Sequence, residues 1–202
     1  MISGHRSSGH ADLFAVLRES TADLHERLEA RLALADPDLT LDRYADAVGV
    51  LAASTLAVEA ALQRVFDVNP QLADRLDWPA RRKTDLFVRD LHGLGRRLPL
   101  CVSPPSLDGC ADAVGAMYVL EGATLGGNVV DTLIRRRLGS DTPRASFRPY
   151  GDQFRQRWTE FRQQATTLLA DQPVDGAIDA SRRVFELFND VATAVGLIGV
   201  GG

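Results

Sequence analysis

Residues 11–35 read ADLFAVLRESTADLHERLEARLALA. Leu13, Leu17, Leu24, Leu28 and Leu32 stand four or seven positions apart in it, which draws one apolar stripe down an α-helix. A strand would need alternation at every second residue, and the stretch has none. The helix is expected to end before the Asp36-Pro37 turn. The same period runs on through the chain. Tyr44, Val48, Leu51, Thr55, Val58, Leu62 and Phe66 mark a second helix, with Thr40 or Asp42 as its cap. Asn69-Pro70 opens a short third segment that Trp78-Pro79 breaks, and residues 80–97 predict a fourth helix with Leu86, Asp90 and Leu94 in register. Pro99, Pro104 and Pro105 mark a loop. Residues 106–138 read as one long helix despite Gly115, Gly122, Gly126 and Gly127; Gly139 stops it, and Arg135, Arg136 and Arg137 complement the dipole of its last turn. Residues 143–151 look irregular, with room for one short extended piece, and residues 152–170 and 174–195 predict two closing helices. No strand pattern and no repeat occurs. The expectation is an all-α, single-domain fold of about seven helices over residues 12–199, after a polar leader, residues 1–11, expected to be disordered.

Composition sets the outer limits. The 202 residues are 45% hydrophobic and 25% charged, ordinary for a globular protein and incompatible with wholesale disorder. Twenty-three basic against 27 acidic side chains leave a formal charge of −4, which excludes the strongly basic footprint of a dedicated nucleic-acid binder. Lys83 is the only lysine, so 22 of the 23 basic residues are arginines. Codon bias explains that, and so does a need for planar carboxylate clamps; composition does not choose between them. Cys101 and Cys110 make neither a disulfide framework nor a zinc site. The leader, with His5 and His10, has no apolar core of a signal peptide, and the longest apolar run, residues 113–130, is interrupted by Glu121 and Asn128. A cytoplasmic protein acting on neither membrane nor nucleic acid is expected.

Most motif chemistry is missing. GATLGG at residues 122–127 has no preceding strand and no Lys-Ser/Thr, so it is no phosphate loop. No Glu-x-x-His pair, no zincin motif and no nucleophile elbow is found. Two helices stand out. His25 lies at the edge of the apolar stripe of the first, with Glu29 one turn on along the same face. A carboxylate there can take Nδ1–H, fix the tautomer and leave Nε2 for a metal; a core-edge histidine satisfied by its neighbour accounts for the pair equally. In the long helix, Gly122 and Gly126 share a face and Gly127 widens it, although each glycine costs a helix interior on the order of 1 kcal/mol. Tight helix packing explains such a strip, and so does a flat ligand approaching the backbone. Together the two helices suggest an imidazole on one side of a planar metallated ring and a bare helix face on the other.

The two segments resemble a known family. LRESTADLHERLE, residues 17–29, resembles the proximal helix of haem oxygenases, and YVLEGATLGGNVV, residues 118–130, resembles their distal helix in its bacterial form. Residues 154–161, with Trp158 three before Phe161, are similar to a later family segment that precedes the propionate end of the site. The likeness runs from about residue 12 to 195, with the motifs in the family's order. It implies a helical fold that holds haem between a proximal and a glycine-rich distal helix, and cleavage of that haem to biliverdin, carbon monoxide and ferrous iron, using O₂ and electrons. Haem is then both cofactor and substrate. By position, His25 would ligate the iron, with Glu29 as its hydrogen-bond partner. Gly122, Gly126 and Gly127 would line the distal face and leave room for O₂. Arg18, and more loosely Arg162 in competition with Arg155, would meet the haem propionates. Animal-type members carry an aspartate after the first distal glycine; Ala123 stands there in this chain, as in several bacterial members.

A non-catalytic haem carrier on the same fold is the alternative, and a helical protein without haem is a third. The resemblance also implies an external electron donor, a ferredoxin or reductase, for which Arg81-Arg82-Lys83 and residues 135–137 are candidate docking clusters. Biliverdin would supply a bacterial phytochrome, or the reaction would serve iron acquisition. His92 is expected to be a surface or packing residue.

Overall fold

In the computed structural model, residues 12–197 are described; the Asp12 carboxylate accepts from Phe14 N at 3.1 Å and caps α1 (Leu13–Leu32). Ala33 closes that helix in the left-handed region at φ 47°. Of the two caps open to α2 (Leu41–Val68), Thr40 is the one used, accepting from Arg43 N at 3.2 Å. Asn69 ends α2 and caps α3 (Pro70–Arg75) through Leu72 N. After a 3₁₀ turn at Trp78–Arg81 come α4 (Thr84–Gly93), α5 (Gly109–Leu138), α6 (Phe154–Leu168) and α7 (Asp175–Ala194). The expected leader and residues 198–199 lie outside the described residues.

Two expectations change. The fourth helix starts at Thr84, not near residue 80, because Arg81 and Lys83 turn their side chains inward to Glu121 while the Glu59 carboxylate of α2 accepts from Lys83 N at 2.5 Å and Thr84 N at 3.2 Å. A carboxylate on another helix thus does the capping. It ends at Gly93, where Pro143 packs so closely that an added Cβ would lie 2.7 Å from the ring. The irregular stretch after α5 holds 3₁₀ turns at Ala145–Phe147 and Gly151–Gln153 and no strand. Its backbone donors go to a side chain: Asp90 accepts from Ala145 N at 3.0 Å and Ser146 N at 2.8 Å.

α2 is long and apolar enough to cross a membrane by length and composition, yet 78% of its apolar window is buried inside the fold. It is the core helix, and Val48, Val50, Val58 and Leu62 on it are wholly buried. The leucine stripe of α1 is buried as its period predicts, Leu17, Leu24 and Leu28 facing α7 and the core. Side chains of this size contribute about 1.5–3 kcal/mol each on burial. α7 packs against α1, α5 and α2 alike.

Candidate functional site

Arg18, Thr21, His25 and Glu29 succeed one another down the side of α1 next to the leucine stripe. Because Leu24 and Leu28 take the interior, His25 sits at the margin of the buried stripe: its side chain is 52% exposed, and Glu29's is 70% exposed. His25 Nδ1 lies 3.5 Å from Glu29 Oε2, the one-turn relation the spacing predicts. Its Nε2 has no hydrogen-bond partner among the described residues. The imidazole stands edge-on against Phe185 of α7, centroids 5.7 Å apart and planes at 82°. On either side of Phe185, α7 grips α1. Asn189 Nδ2 donates to Leu24 O at 3.1 Å, and Arg182 donates to Ser20 O and to the Asp23 carboxylate. The hydrogen bond from Arg182 holds the Asp23 carboxyl below its ordinary value.

On α5 the matching face is bare. A Cβ built at Gly122 or at Gly126 meets nothing within 4 Å. Leu125 and Val129 stand exposed beside them. An open strip flanked by exposed apolar side chains suits a flat, apolar ligand.

The two faces share one junction. Tyr118, one turn before Gly122, packs on Phe14 of α1 with ring centroids 6.0 Å apart, and Thr21, one turn before His25, lies close enough to its phenol to act on it. Burial raises the Tyr118 phenol above its ordinary value, and the Arg18 charge acts on it in the opposite sense. Elsewhere α1 and α5 barely approach each other; both rest on α7. Consecutive arginines of α7 reach opposite ways, Arg182 to Asp23 of α1 and Arg183 to Asp112 of α5 at 2.8 Å.

Three placements differ from expectation. Gly127 does not line the open face: a Cβ there would collide with the carbonyl oxygen of Phe147, so its missing side chain serves packing. Gly115 does the same against Ala177. Arg162 is engaged at the start of α1, with Asp12 Oδ2 at 3.0 Å and the Phe14 ring at 4.9 Å, and Arg155 stacks over Phe154. Arg18, by contrast, is exposed on the His25 side of α1. The Arg81-Arg82-Lys83 cluster is no docking surface, because Arg81 and Lys83 are buried and only Arg82 is exposed. Arg135 and Arg136 do face outward, and His92 is a surface residue as expected. Sequence reasoning missed Phe185 and Asn189, whose only signal is an amphipathic helix with a buried asparagine.

No family model matches the chain. A haem oxygenase of Xanthomonas campestris is 37% identical over 60 residues, which are 30% of this chain and 36% of that protein, so the match spans about a third of the relative's length. Solved structures match over nearly the whole chain. The NO- and CO-bound haem oxygenase of Neisseria meningitidis superposes with a TM-score of 0.79 at 18% identity, covering 95% of this chain and 96% of the other. The haem oxygenase of Leptospira interrogans gives 0.70 at 18% identity, with 91% and 100% covered. Haem oxygenase-1 of the cyanobacterium Synechocystis, solved in complex with haem, gives 0.66 at 16% identity, with 92% and 93% covered. The fold is therefore the all-α haem oxygenase fold, and the resemblance read from the two helices is borne out.

Proposed function

We propose that this chain is a haem oxygenase, holding haem between α1 and α5 and cleaving it to biliverdin, carbon monoxide and ferrous iron with O₂ and electrons from an external donor. One juxtaposition carries the proposal: from the junction at Tyr118, the next turn of α1 presents His25 with an Nε2 unpartnered among the described residues, and the next turn of α5 presents the bare Gly122 and Gly126. The donor set supports it. No group of three or more His, Cys, Asp or Glu able to hold a metal ion forms among the described residues. A single half-exposed imidazole suits an iron that brings its own four ring nitrogens.

His25 would hold the iron through Nε2, with the Glu29 carboxylate accepting a hydrogen bond from Nδ1–H and so setting the tautomer. Haem, when bound, supplies both the iron that activates O₂ and the ring that is cleaved. Gly122 and Gly126 would admit the ring and O₂ close to the helix backbone, and Leu125 and Val129 would keep water from that face. Arg18 would meet a propionate; it is exposed and lies seven residues, two turns, from His25 on the same side of α1. Ala123 is exposed and carries no proton donor, so a proton reaching this face would pass through backbone carbonyls and water. That residue is also the observation that favours a non-catalytic haem binder.

Haem titration tests the binding. His25→Ala should abolish the histidine-ligated absorption spectrum and regain it with added imidazole; an unchanged Soret band and coordination state would overturn the ligand assignment. A single turnover tests catalysis: the haem complex, given reductant in air, should yield the biliverdin absorption band. A stable complex without that band would make the protein a carrier.

A further inference from the structure

The only lysine of the chain is inside it. Lys83 is 5% exposed at its side chain, and its Nζ donates to Glu121 Oε1 at 2.5 Å and to Arg81 O at 2.9 Å, 5.3 Å over the Tyr150 ring. Arg81, 1% exposed, donates through Nη1 to Glu121 Oε2 at 2.6 Å and to Arg157 O at 3.2 Å, and through Nε to Leu76 O at 2.8 Å. The Tyr150 hydroxyl donates to Glu121 Oε1 at 2.7 Å. Three donors thus converge on one carboxylate of α5. The segment that brings two of them is itself fixed to α2, where the buried Glu59 accepts from Lys83 N, Thr84 N and Thr84 Oγ1.

Buried ion pairs add little net stability over well-packed apolar side chains, and breaking one is costly. What such a cluster does supply is a fixed geometry. Glu121 immediately precedes Gly122, and Gly127 seats on Phe147 at the other end of the strip. Between those two points only Thr124 is buried, and its Oγ1 bonds back to Glu121 O at 2.6 Å. The strip therefore has no side-chain anchorage of its own apart from its ends.

We propose that Lys83 and Glu121 are positioning residues for the bare face of α5: the buried carboxylate, held by Lys83, Arg81 and Tyr150, fixes the rotation and depth of residues 122–126. On the proposed function, on which this role rests, that face is the one that meets haem. The gap between Glu121, Arg81 O and the Tyr150 ring takes a compact ammonium with three rotatable donors, a geometry unlike that of a planar guanidinium.

Amide hydrogen exchange on the haem-free full chain, together with the C–O stretch of the ferrous carbonyl complex, decides it. Lys83→Met is the main variant; Tyr150→Phe removes one donor and keeps every charge, should the first not fold. Exchange at residues 122–126 is expected to rise about tenfold while α7 amides stay as in the unmodified protein, and the stretch is expected to shift or broaden. A uniform rise in exchange, no rise, or a local rise with an unaltered stretch would each overturn the role. If the unmodified protein binds no haem, the haem reading fails, and local against uniform exchange still decides whether the cluster anchors the strip.

Discussion

Adding a methyl group to α5 should stabilise the haem-free protein at one glycine and destabilise it at another five residues away. At Gly122 an added Cβ meets nothing within 4 Å, and the backbone there is helical. Gly122→Ala therefore gains helix propensity of about 0.8–1 kcal/mol with no opposing contact. For a chain of this size that amounts to a rise in Tm of about 2–4 °C. At Gly127 the same methyl would run into the carbonyl oxygen of Phe147, with the carbonyl carbon 3.2 Å away. Backbone cannot rotate aside as a side-chain tip does. Overpacking of this kind costs about 1–3 kcal/mol or more, which outweighs the propensity gain and reverses the sign.

Haem binding should rank the two differently. The Gly122 methyl stands where the porphyrin face would approach the helix. Repacking it at about 1–3 kcal/mol lowers haem affinity about 5–150-fold while the empty protein melts higher. Gly126→Ala should behave as Gly122→Ala, since both lie on the same open face. Thermal or denaturant melts of the haem-free variants give the first quantity and haem titration the second. Two results would refute the reasoning: a Gly122→Ala protein that melts lower than the parent, or one that melts higher and binds haem as well as the parent. The first would deny that the face is open, the second that it is the haem face.

Other outcomes follow from the same contacts. Arg18→Ala should weaken haem binding, whereas Arg162→Ala, which loses an exposed pair with Asp12, should leave it unchanged and cost at most about 1 kcal/mol of stability; haem titration of both variants separates the two arginines, and equal losses would place Arg162 back in the site. All three tyrosines have raised pKa values: Tyr44 by burial and then the Asp90 charge, Tyr150 by burial and then Glu121, and Tyr118 by burial. Folded values above the unfolded value near 10 mean stability that is fully present below that pH and lost as pH climbs toward the folded values. Tyrosinate absorbance should thus appear together with alkaline unfolding, and a tyrosine that titrates near its ordinary value in a folded chain would contradict the burial.

The fold was legible where a local period decides it. Leu13, Leu17, Leu24, Leu28 and Leu32 are all buried, and Thr40 and Asn69 cap helices as their side chains suggest. His25 and Glu29 were legible as a pair because one helical turn fixes their separation. What the sequence hid depends on partners far along the chain. Arg81-Arg82-Lys83 looks like a solvated basic run until Glu121, some forty positions on, draws two of the three inward. That same contact shortens α4. Within GATLGG nothing local separates Gly126 from Gly127; the Phe147 carbonyl does, from beyond the end of the helix. Arg162 follows the aromatic motif that suggested it, but its partner is Asp12, 150 residues earlier.

Long-range contacts also set how α1 and α5 stand to each other. Gly115 lets α5 lie close on α7 at Ala177, and Arg183 pairs with Asp112 one turn before it. On the other flank Arg182 and Asn189 hold α1 through Ser20, Asp23 and Leu24. α7 therefore sets the separation, and the faces of α1 and α5 that look away from it need little mutual contact beyond Tyr118 with Phe14 and Thr21. Relieved of that packing duty, His25 can stay half exposed and Gly122 and Gly126 can stay bare. The open face is thus a consequence of where the arginine and asparagine side chains of α7 attach, as much as of the glycines themselves.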